Sequence, residues 1–352
     1  MSPNFSFNLK NDDIEDDRSD GSEPVSIADV REGSKAPATE PRLHTLRDML
    51  SVLPSKISYC SIQIPSKDSS MISLPRRELF DIRAQLMAED QDYGQSPTIG
   101  LSTDDITPNI YEGGFKTWEC SVDLASFLAG ILTDHNRPDD FGYHIIELGA
   151  GTALPTLMVF YLLLKSSSPW WGALQLTFAD YNQSVLELAT MPNLLLTWHF
   201  ARSLMASPPV GDLEITTDLL SRFLDDLSSK KIYVSGISGA WNHAFNDLAR
   251  PFDQLQRQRA TETIVLASET IYSPASIRAF SDTLLSVLGR EKASGRTAIA
   301  FIAAKRIYFG VGGGVDEFLR ILEQLGGEAR TAWETEDTGV GRVIMEVTKE
   351  HG

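Results

Sequence analysis

The chain has 352 residues, of which 42% are hydrophobic, and its formal net charge at pH 7 is −17. This size and composition are typical of a globular protein with one catalytic-sized domain and additional segments. The negative charge opposes docking on a phosphate backbone and suits a basic protein partner, although acidic composition more often reflects solubility. We therefore expect no direct contact with nucleic acid.

Residues 1–41 combine Asp, Glu, Ser and Pro with few aromatic side chains. Such a segment buries too little apolar surface to offset the entropy of ordering, so we predict a disordered acidic tail. The first residues lack the positively charged region and apolar stretch of a secretory signal. We therefore expect the protein to stay inside the cell.

Residues 42–110 are predicted to form a small ordered appendage. Leu43–Leu53 has helical periodicity, Ile57–Ile64 alternates in polarity as a strand does, and Leu79–Met87 is again helical. The composition of these segments does not indicate their role.

From residue 111 onward, apolar strand-like runs alternate with helical patterns. The predicted strands are His144–Leu148, Leu174–Ala179, Ile232–Ile237, Thr263–Ala267, Thr297–Ala303 and Arg342–Thr348. The predicted helices are Ser121–Leu132, Ala153–Leu164, Ser184–Trp198, Ala275–Leu288 and Val315–Leu325. This alternation predicts a doubly wound, Rossmann-like α/β domain with a parallel sheet. Ala201–Ser229 is interpreted as an insertion before the third strand, and the apolar run Leu154–Leu164 as a core helix too short to span a bilayer.

A glycine turn follows the first strand, where Leu148 is succeeded by Gly149, Ala150 and Gly151. Ligands of open α/β sheets bind at such strand ends, and glycine lets the backbone approach them closely. A dinucleotide fingerprint requires a third glycine where Leu154 stands, so a nicotinamide cofactor is disfavoured. A purely structural turn is the alternative.

Asp180 follows the second strand. A carboxylate at this strand end can accept hydrogen bonds from both ribose hydroxyls of a nucleoside. Taken alone, Asp180 is equally consistent with a helix N-cap. Because the glycine turn lies one strand earlier, nucleoside binding is the favoured interpretation.

Several motifs resemble those of a known family, and they are Leu74–Phe80, Gly113–Cys120, Glu147–Gly151, Ser268–Tyr272 and Lys305–Gly314. The strand-turn motif resembles the first motif of class I methyltransferases. Together the motifs are similar to the protein-histidine N-methyltransferases that modify the large-subunit ribosomal protein L-three. The resemblance implies a seven-stranded methyltransferase domain over residues 111–352, S-adenosylmethionine as cofactor, and a basic ribosomal protein as substrate.

The resemblance also implies roles for individual residues. The implied cofactor-binding residues are Trp118, Glu147, Gly149, Ala150, Gly151, Asp180, Asn182, Trp241 and Ser268. Among them, Glu147 and the two glycines would border the methionine part, and Asp180 would lie at the ribose. Trp118 would close over the cofactor and Trp241 would lie near the adenine. A tryptophan of the core is the alternative for each.

Glu269 and Tyr272 are the implied catalytic residues, and they would orient the acceptor ring. For Glu269, pairing with a backbone loop is the alternative. Lys305–Gly314 is interpreted as a loop at the rim of the substrate entrance, with a simple structural turn as the competing interpretation. A phosphate cradle is disfavoured because no Walker lysine and serine follow its glycines.

Methyl transfer from a sulfonium is an in-line displacement that depends on alignment and on exclusion of water, so it needs no metal. A neutral imidazole is already nucleophilic near pH 7. We expect Glu269 to accept one ring N–H and so to select the reactive tautomer. Cys60 and Cys120 are far apart, and the histidines form no cluster with acids or cysteines, so we predict no metal site.

Two other functions stay open. One is a lysine methyltransferase of the same fold, and the other is a cofactor-binding assembly factor whose methyl transfer is secondary or lost. A nicotinamide oxidoreductase is a more distant third. We expect a monomer of the cytoplasm and nucleus with no membrane partner, whose appendage helps to hold the substrate.

Overall fold

The computed structural model describes residues 39–66, 70–93, 113–131, 141–166, 172–203, 208–256, 260–335 and 340–349. Residues 1–38 of the predicted tail and 94–110 of the predicted appendage lie outside the described residues. The strands are β1 (Arg42–Thr45), β2 (Lys56–Pro65), β3 (Met71–Arg77), β4 (Phe141–Leu148), β5 (Ala173–Asp180), β6 (Val210–Glu214), β7 (Ile232–Ser238), β8 (Ala260–Ser268), β9 (Thr297–Lys305), β10 (Gly327–Glu334) and β11 (Arg342–Lys349).

The helices are α1 (Leu46–Ser51), α2 (Leu79–Tyr93), α3 (Glu119–Ile131), α4 (Leu154–Lys165), α5 (Gln183–Val185), α6 (Met191–Arg202), α7 (Thr217–Ser229), α8 (His243–Leu248), α9 (Asp253–Gln256), α10 (Pro274–Ala293) and α11 (Val315–Gln324). A π-helical turn at Leu186–Thr190 joins α5 to α6. Within the described ranges, no helix is long and apolar enough to cross a membrane. The apolar run that forms α4 is a buried core helix, as predicted.

The main sheet has eight strands in the order β1-β7-β5-β4-β8-β9-β11-β10. Its centre, from β7 to β9 in that order, is parallel. β11 is antiparallel to β9, and β10 is antiparallel to β11. Every strand predicted in the main domain is present close to its expected bounds. The predicted doubly wound α/β fold is confirmed.

Successive residues of the central strands point to opposite faces of the sheet. Ile145 packs in the core on one face with helices α3, α4 and α6, whereas Ile146 packs on the other face with α8, α10 and α11. Both faces are therefore covered, which explains why the strands are apolar throughout rather than alternating with polar residues.

The start of the appendage differs from the prediction of a helix over Leu43–Leu53. β1 pairs antiparallel with β7, which places Leu43 opposite Ile237 and adds an edge strand to the main sheet. α1 begins only after Thr45, whose side chain forms a capping box with Asp48. The helical periodicity was misleading because the pairing with β7 is a tertiary contact that spacing along the chain does not reveal.

A second, antiparallel sheet has the order β3-β2-β6 and joins the appendage to the predicted insertion. Ile64 and Leu74 of this sheet pack on Ala125 of α3 and Met158 of α4. The sequence pattern predicts β2 but not β3, β6 or β10. β10 is largely exposed at the sheet edge, so it lacks the apolar pattern on which strand prediction depends.

Candidate active site

A pocket of about 940 Å³, counted to its open mouth, lies at the carboxyl ends of the parallel strands. That is the edge of an open α/β sheet where ligands bind. The lining residues are Gly113, Gly114, Lys116, Trp118, Ser121, Gly149, Ala150, Gly151, Thr152, Asp180, Tyr181, Asn182, Trp241, Ser268, Glu269, Thr270, Tyr272, Ser276, Lys305 and Tyr308. Every predicted site residue except Glu147 belongs to this lining.

The glycine turn is held in a conformation that other residues rarely adopt. Gly149 and Gly151 have φ angles of 69° and 53°. A Cβ on Gly149 would lie 2.8 Å from Cγ2 of Thr270, so the turn packs closely on the loop after β8. Gly149, Ala150 and Gly151 all belong to the pocket lining.

Asp180 contacts the same turn. One carboxylate oxygen accepts the Gly151 N–H at 3.0 Å and the other accepts the Asn182 N–H at 3.1 Å. The carboxylate is therefore fixed at the pocket wall by backbone donors. Carboxylate oxygens are acceptors of the kind that ribose hydroxyls require.

A buried network behind the turn connects it to the appendage. The Thr190 hydroxyl, in the π-helical turn, donates to the Gly151 carbonyl at 2.7 Å. The Asn193 amide donates to the Thr152 carbonyl at 3.0 Å and accepts the Arg77 N–H at 2.7 Å. π-Helical turns are frequent at functional sites, and here the turn supports the ligand-facing backbone.

Glu147 lies beneath the glycine turn and outside the pocket lining, which corrects its predicted place beside the cofactor. Its side chain is fully buried, and Oε2 accepts the Thr156 N–H at 3.1 Å near the start of α4. Oε1 has no hydrogen-bond partner in the described part of the chain. Burial raises the pKa of Glu147 to about 8.

Both predicted tryptophans line the pocket. The Trp118 indole N–H donates to the Gly113 carbonyl at 3.1 Å, and the Lys305 ammonium lies 5.5 Å from its ring centroid. The Trp241 ring packs 5.2 Å from Phe280, at the edge of the core. Trp241 therefore combines a core contact with a pocket-facing surface.

Glu269 follows Ser268 at the end of β8 in a left-handed conformation, with φ at 57°. Its N–H donates to the Ala303 carbonyl at 3.0 Å, which holds this uncommon conformation in place. Oε1 is buried in the pocket wall and has no hydrogen-bond partner among the described residues, with the Lys305 ammonium at 3.7 Å. The carboxylate thus belongs to the pocket wall, with its Oε1 atom buried there.

Tyr308 is a site residue to which the sequence analysis gave no individual role. Its ring lies edge-on to that of Tyr272, with 6.3 Å between the ring centroids. Its hydroxyl lies near the Glu269 carboxylate and accepts the Lys305 N–H at 3.2 Å. Burial, with Glu269 nearby, raises its pKa, so the hydroxyl stays protonated. The rim-loop motif contains Tyr308, but only the fold reveals which of its side chains faces inward.

Cys120 lies beside Glu269 and is fully buried. Burial raises its thiol pKa, which disfavours a role as a nucleophile. In the segments that the structure describes, no group of three or more His, Cys, Asp and Glu side chains is placed to hold a metal ion.

The described residues fit S-adenosylmethionine. The left-handed glycine turn leaves room for close backbone approach, and the Asp180 carboxylate can accept from ribose hydroxyls. Trp118 and Trp241 provide aromatic surface in the same pocket. Cofactor contacts by these residues stay predictions.

No protein-family model matches the sequence. Among solved structures, the human methyltransferase 10 domain containing protein has a TM-score of 0.31 and 11% identity over 77% of this chain and 96% of that chain. Similarity that low supports no conclusion about this chain.

Curated relatives are more informative. The chain is 34% identical to Histidine protein methyltransferase 1 of Schizosaccharomyces pombe, over 87% of this chain and 84% of the relative. It is 31% identical to the Saccharomyces cerevisiae protein of the same name, over 91% of this chain and 90% of the relative. The mouse homologue is 29% identical over 71% of this chain and 60% of its own length. The chain therefore belongs to the histidine protein methyltransferase 1 family.

Proposed function

We propose that this protein transfers a methyl group from S-adenosylmethionine to an imidazole nitrogen of a histidine in a large-subunit ribosomal protein. Family membership supports a protein histidine as acceptor, and S-adenosylmethionine is the methyl donor of the family. The observation that carries the proposal is the Oε1 atom of Glu269, a buried acceptor in the pocket wall without a hydrogen-bond partner among the described residues.

This acceptor suits a neutral imidazole, which has one ring N–H and one nitrogen lone pair. With an ordinary pKa of about 6.5, the imidazole is largely neutral near pH 7 and needs no general base before attack. Glu269 Oε1 accepts the ring N–H and so leaves the lone pair of the other nitrogen facing the reacting carbon. When bound, the cofactor supplies a methyl group activated by a sulfonium.

As the nitrogen–carbon bond forms and the carbon–sulfur bond breaks, the ring becomes a cation. The Glu269 carboxylate then faces an imidazolium N–H, so their attraction increases along the reaction. The ring afterwards releases the proton of this N–H to solvent and becomes neutral. Glu269 therefore serves both to choose the tautomer and to stabilise the developing charge.

The aromatic walls also suit a planar acceptor ring. Tyr272 and Tyr308 line the pocket with their rings edge-on to each other. Aromatic side chains contact planar rings by offset stacking or by their edges. These two rings would restrict the rotation of the imidazole and favour an in-line approach.

The substrate class rests on charge and on the family motifs. The net charge of −17 is complementary to a basic ribosomal protein. We place the reaction in the cytoplasm and nucleus, where ribosomal proteins are made and assembled.

The test compares Glu269→Gln and Glu269→Ala with the wild type, using large-subunit ribosomal proteins from cells that lack the gene. We expect Glu269→Ala to lower kcat by roughly a hundredfold because the acceptor ring loses its orientation. Glu269→Gln keeps an acceptor oxygen and should retain more activity than the alanine variant. Glu119→Gln is the control, since Glu119 also pairs with Lys305, at 3.0 Å, but lies outside the pocket lining. Wild-type kcat in both Glu269 variants would refute this role.

A further inference from the structure

We propose that exposed apolar side chains at the pocket mouth form a docking surface for the polypeptide that flanks the target histidine. This rim patch consists of Ile307, Phe309, Val311 and Val340, whose exposed fractions are 57%, 75%, 40% and 43%. The inference rests on the proposed function and specifies how its protein substrate is recognised.

The rim patch is continuous with the pocket. Tyr308 lines the pocket, whereas its neighbours Ile307 and Phe309 are exposed. Val340 is close by, because the carbonyl of Gly341 accepts the Arg306 N–H at 2.7 Å. The patch therefore begins within one residue of the wall that faces the reacting atoms.

Backbone hydrogen bonds hold the rim patch in place. The Tyr308 N–H donates to the Gly313 carbonyl at 3.3 Å, and the Gly313 N–H donates to the Tyr272 carbonyl at 2.9 Å. A Cβ on Gly313 would lie 2.3 Å from the Tyr272 carbonyl, so the loop packs directly against the backbone of Tyr272. A surface ordered before binding loses less entropy when a partner docks.

Two basic side chains beside the rim patch are paired within the chain. Arg306 forms an ion pair with Glu334, and Lys305 pairs with Glu119 at 3.0 Å. The mouth thus presents apolar surface next to satisfied charges. Contiguous exposed apolar surface with a polar border is typical of a protein interaction site.

The geometry of the acceptor identifies the occupant. A histidine side chain is only one methylene and one ring long, so a polypeptide whose imidazole reaches Glu269 must lay its own backbone across the mouth. Consecutive Cα atoms are about 3.8 Å apart, which brings the next few residues of that polypeptide over the rim patch. We therefore infer that the substrate carries apolar side chains close to its target histidine.

The test is Phe309→Ser, with Val210→Ser as the control. Val210 is 65% exposed on β6 and lies outside the pocket lining, so this change removes exposed apolar surface elsewhere. Methyl incorporation into histidine is measured with saturating S-adenosylmethionine and increasing amounts of large-subunit ribosomal proteins from cells lacking the gene.

We expect Phe309→Ser to raise the half-saturating substrate concentration roughly tenfold, as for the loss of an aromatic anchor. The Kd for S-adenosylmethionine and the Tm should match the wild type, and Val210→Ser should behave as the wild type throughout. A half-saturating concentration within about twofold of wild type in Phe309→Ser would overturn the docking surface alone. If the wild type methylates no histidine in these proteins, the proposed function fails and the docking surface fails with it.

Discussion

Replacing Glu147 by Gln should stabilise the protein at neutral and alkaline pH. Glu147 is fully buried, and one of its two oxygens has no hydrogen-bond partner in the described structure. Burial raises its pKa from the ordinary value of 4.5 to about 8. Between these values the native state keeps the proton that the unfolded chain releases, so this group's contribution to stability falls as the pH rises.

The size of the effect follows from the pKa difference. Each pH unit between about 5 and about 7.5 removes about 1.4 kcal/mol from the wild-type unfolding free energy through this group. Glu147→Gln keeps the shape and the carbonyl oxygen that can accept the Thr156 N–H, but it has no proton to lose. The stability of the variant relative to the wild type should therefore rise by about 3 kcal/mol over that interval.

The assay is urea unfolding followed by tryptophan fluorescence, at about pH 5 and about pH 7.5, for both proteins. The other titrating groups are shared, so the difference between the two proteins isolates Glu147. A difference that stays the same at both pH values would show that Glu147 is ionised in the native state. The account of its burial would then be wrong.

Three further changes, one of them with a matched control, test the burial of His144, the hydrogen bonds of Asn193 and the glycine turn. Burial lowers the pKa of His144 to about 3, so the wild-type unfolding free energy should fall by about 1.4 kcal/mol per pH unit as the pH drops below about 6.5. In urea unfolding, His144→Gln should not show this loss. Asn193→Ala leaves two buried backbone groups unpaired at a cost of about 1–3 kcal/mol each, so it should lower the Tm and raise the Kd for S-adenosylmethionine. If the Kd, measured at a temperature well below the Tm, equals that of the wild type, Asn193 has a role in folding alone. Gly149→Ala introduces a Cβ at φ 69° against Thr270, so it should lower the unfolding free energy by about 1–2 kcal/mol. It should also weaken cofactor binding in titration calorimetry. Gly295→Ala is the control, because φ is 73° there too but open space surrounds the new Cβ. It should lower stability without changing the Kd for S-adenosylmethionine. Equal Kd values for the two glycine variants would contradict the assignment of the turn at Gly149 to the cofactor site.

The features that the sequence predicted well are those encoded over short distances. The strand that ends at Leu148 and the turn at Gly149 and Gly151 form one continuous local signal. Asp180 was found because it ends the neighbouring strand, and the fold brings its carboxylate to the turn. Local pattern and tertiary structure agree in this part of the site.

The features that escaped prediction depend on contacts between distant segments. Asn193 bridges Arg77 and Thr152, and no spacing rule connects these three positions. The inward orientation of Tyr308 depends on the packing of its loop against Tyr272. Glu147 was assigned to the cofactor from its motif, but its side chain turns to the start of α4, which the motif alone does not specify.

The most direct test of the central claim is mass spectrometry of large-subunit ribosomal proteins from cells with and without this gene. The account predicts a single methyl group on one histidine that disappears on deletion, returns with the wild-type gene and does not return with Glu269→Ala. An unchanged histidine accompanied by the loss of a lysine methyl group would contradict the proposed acceptor and indicate a lysine methyltransferase. No change in any of these proteins would contradict the proposed substrate class.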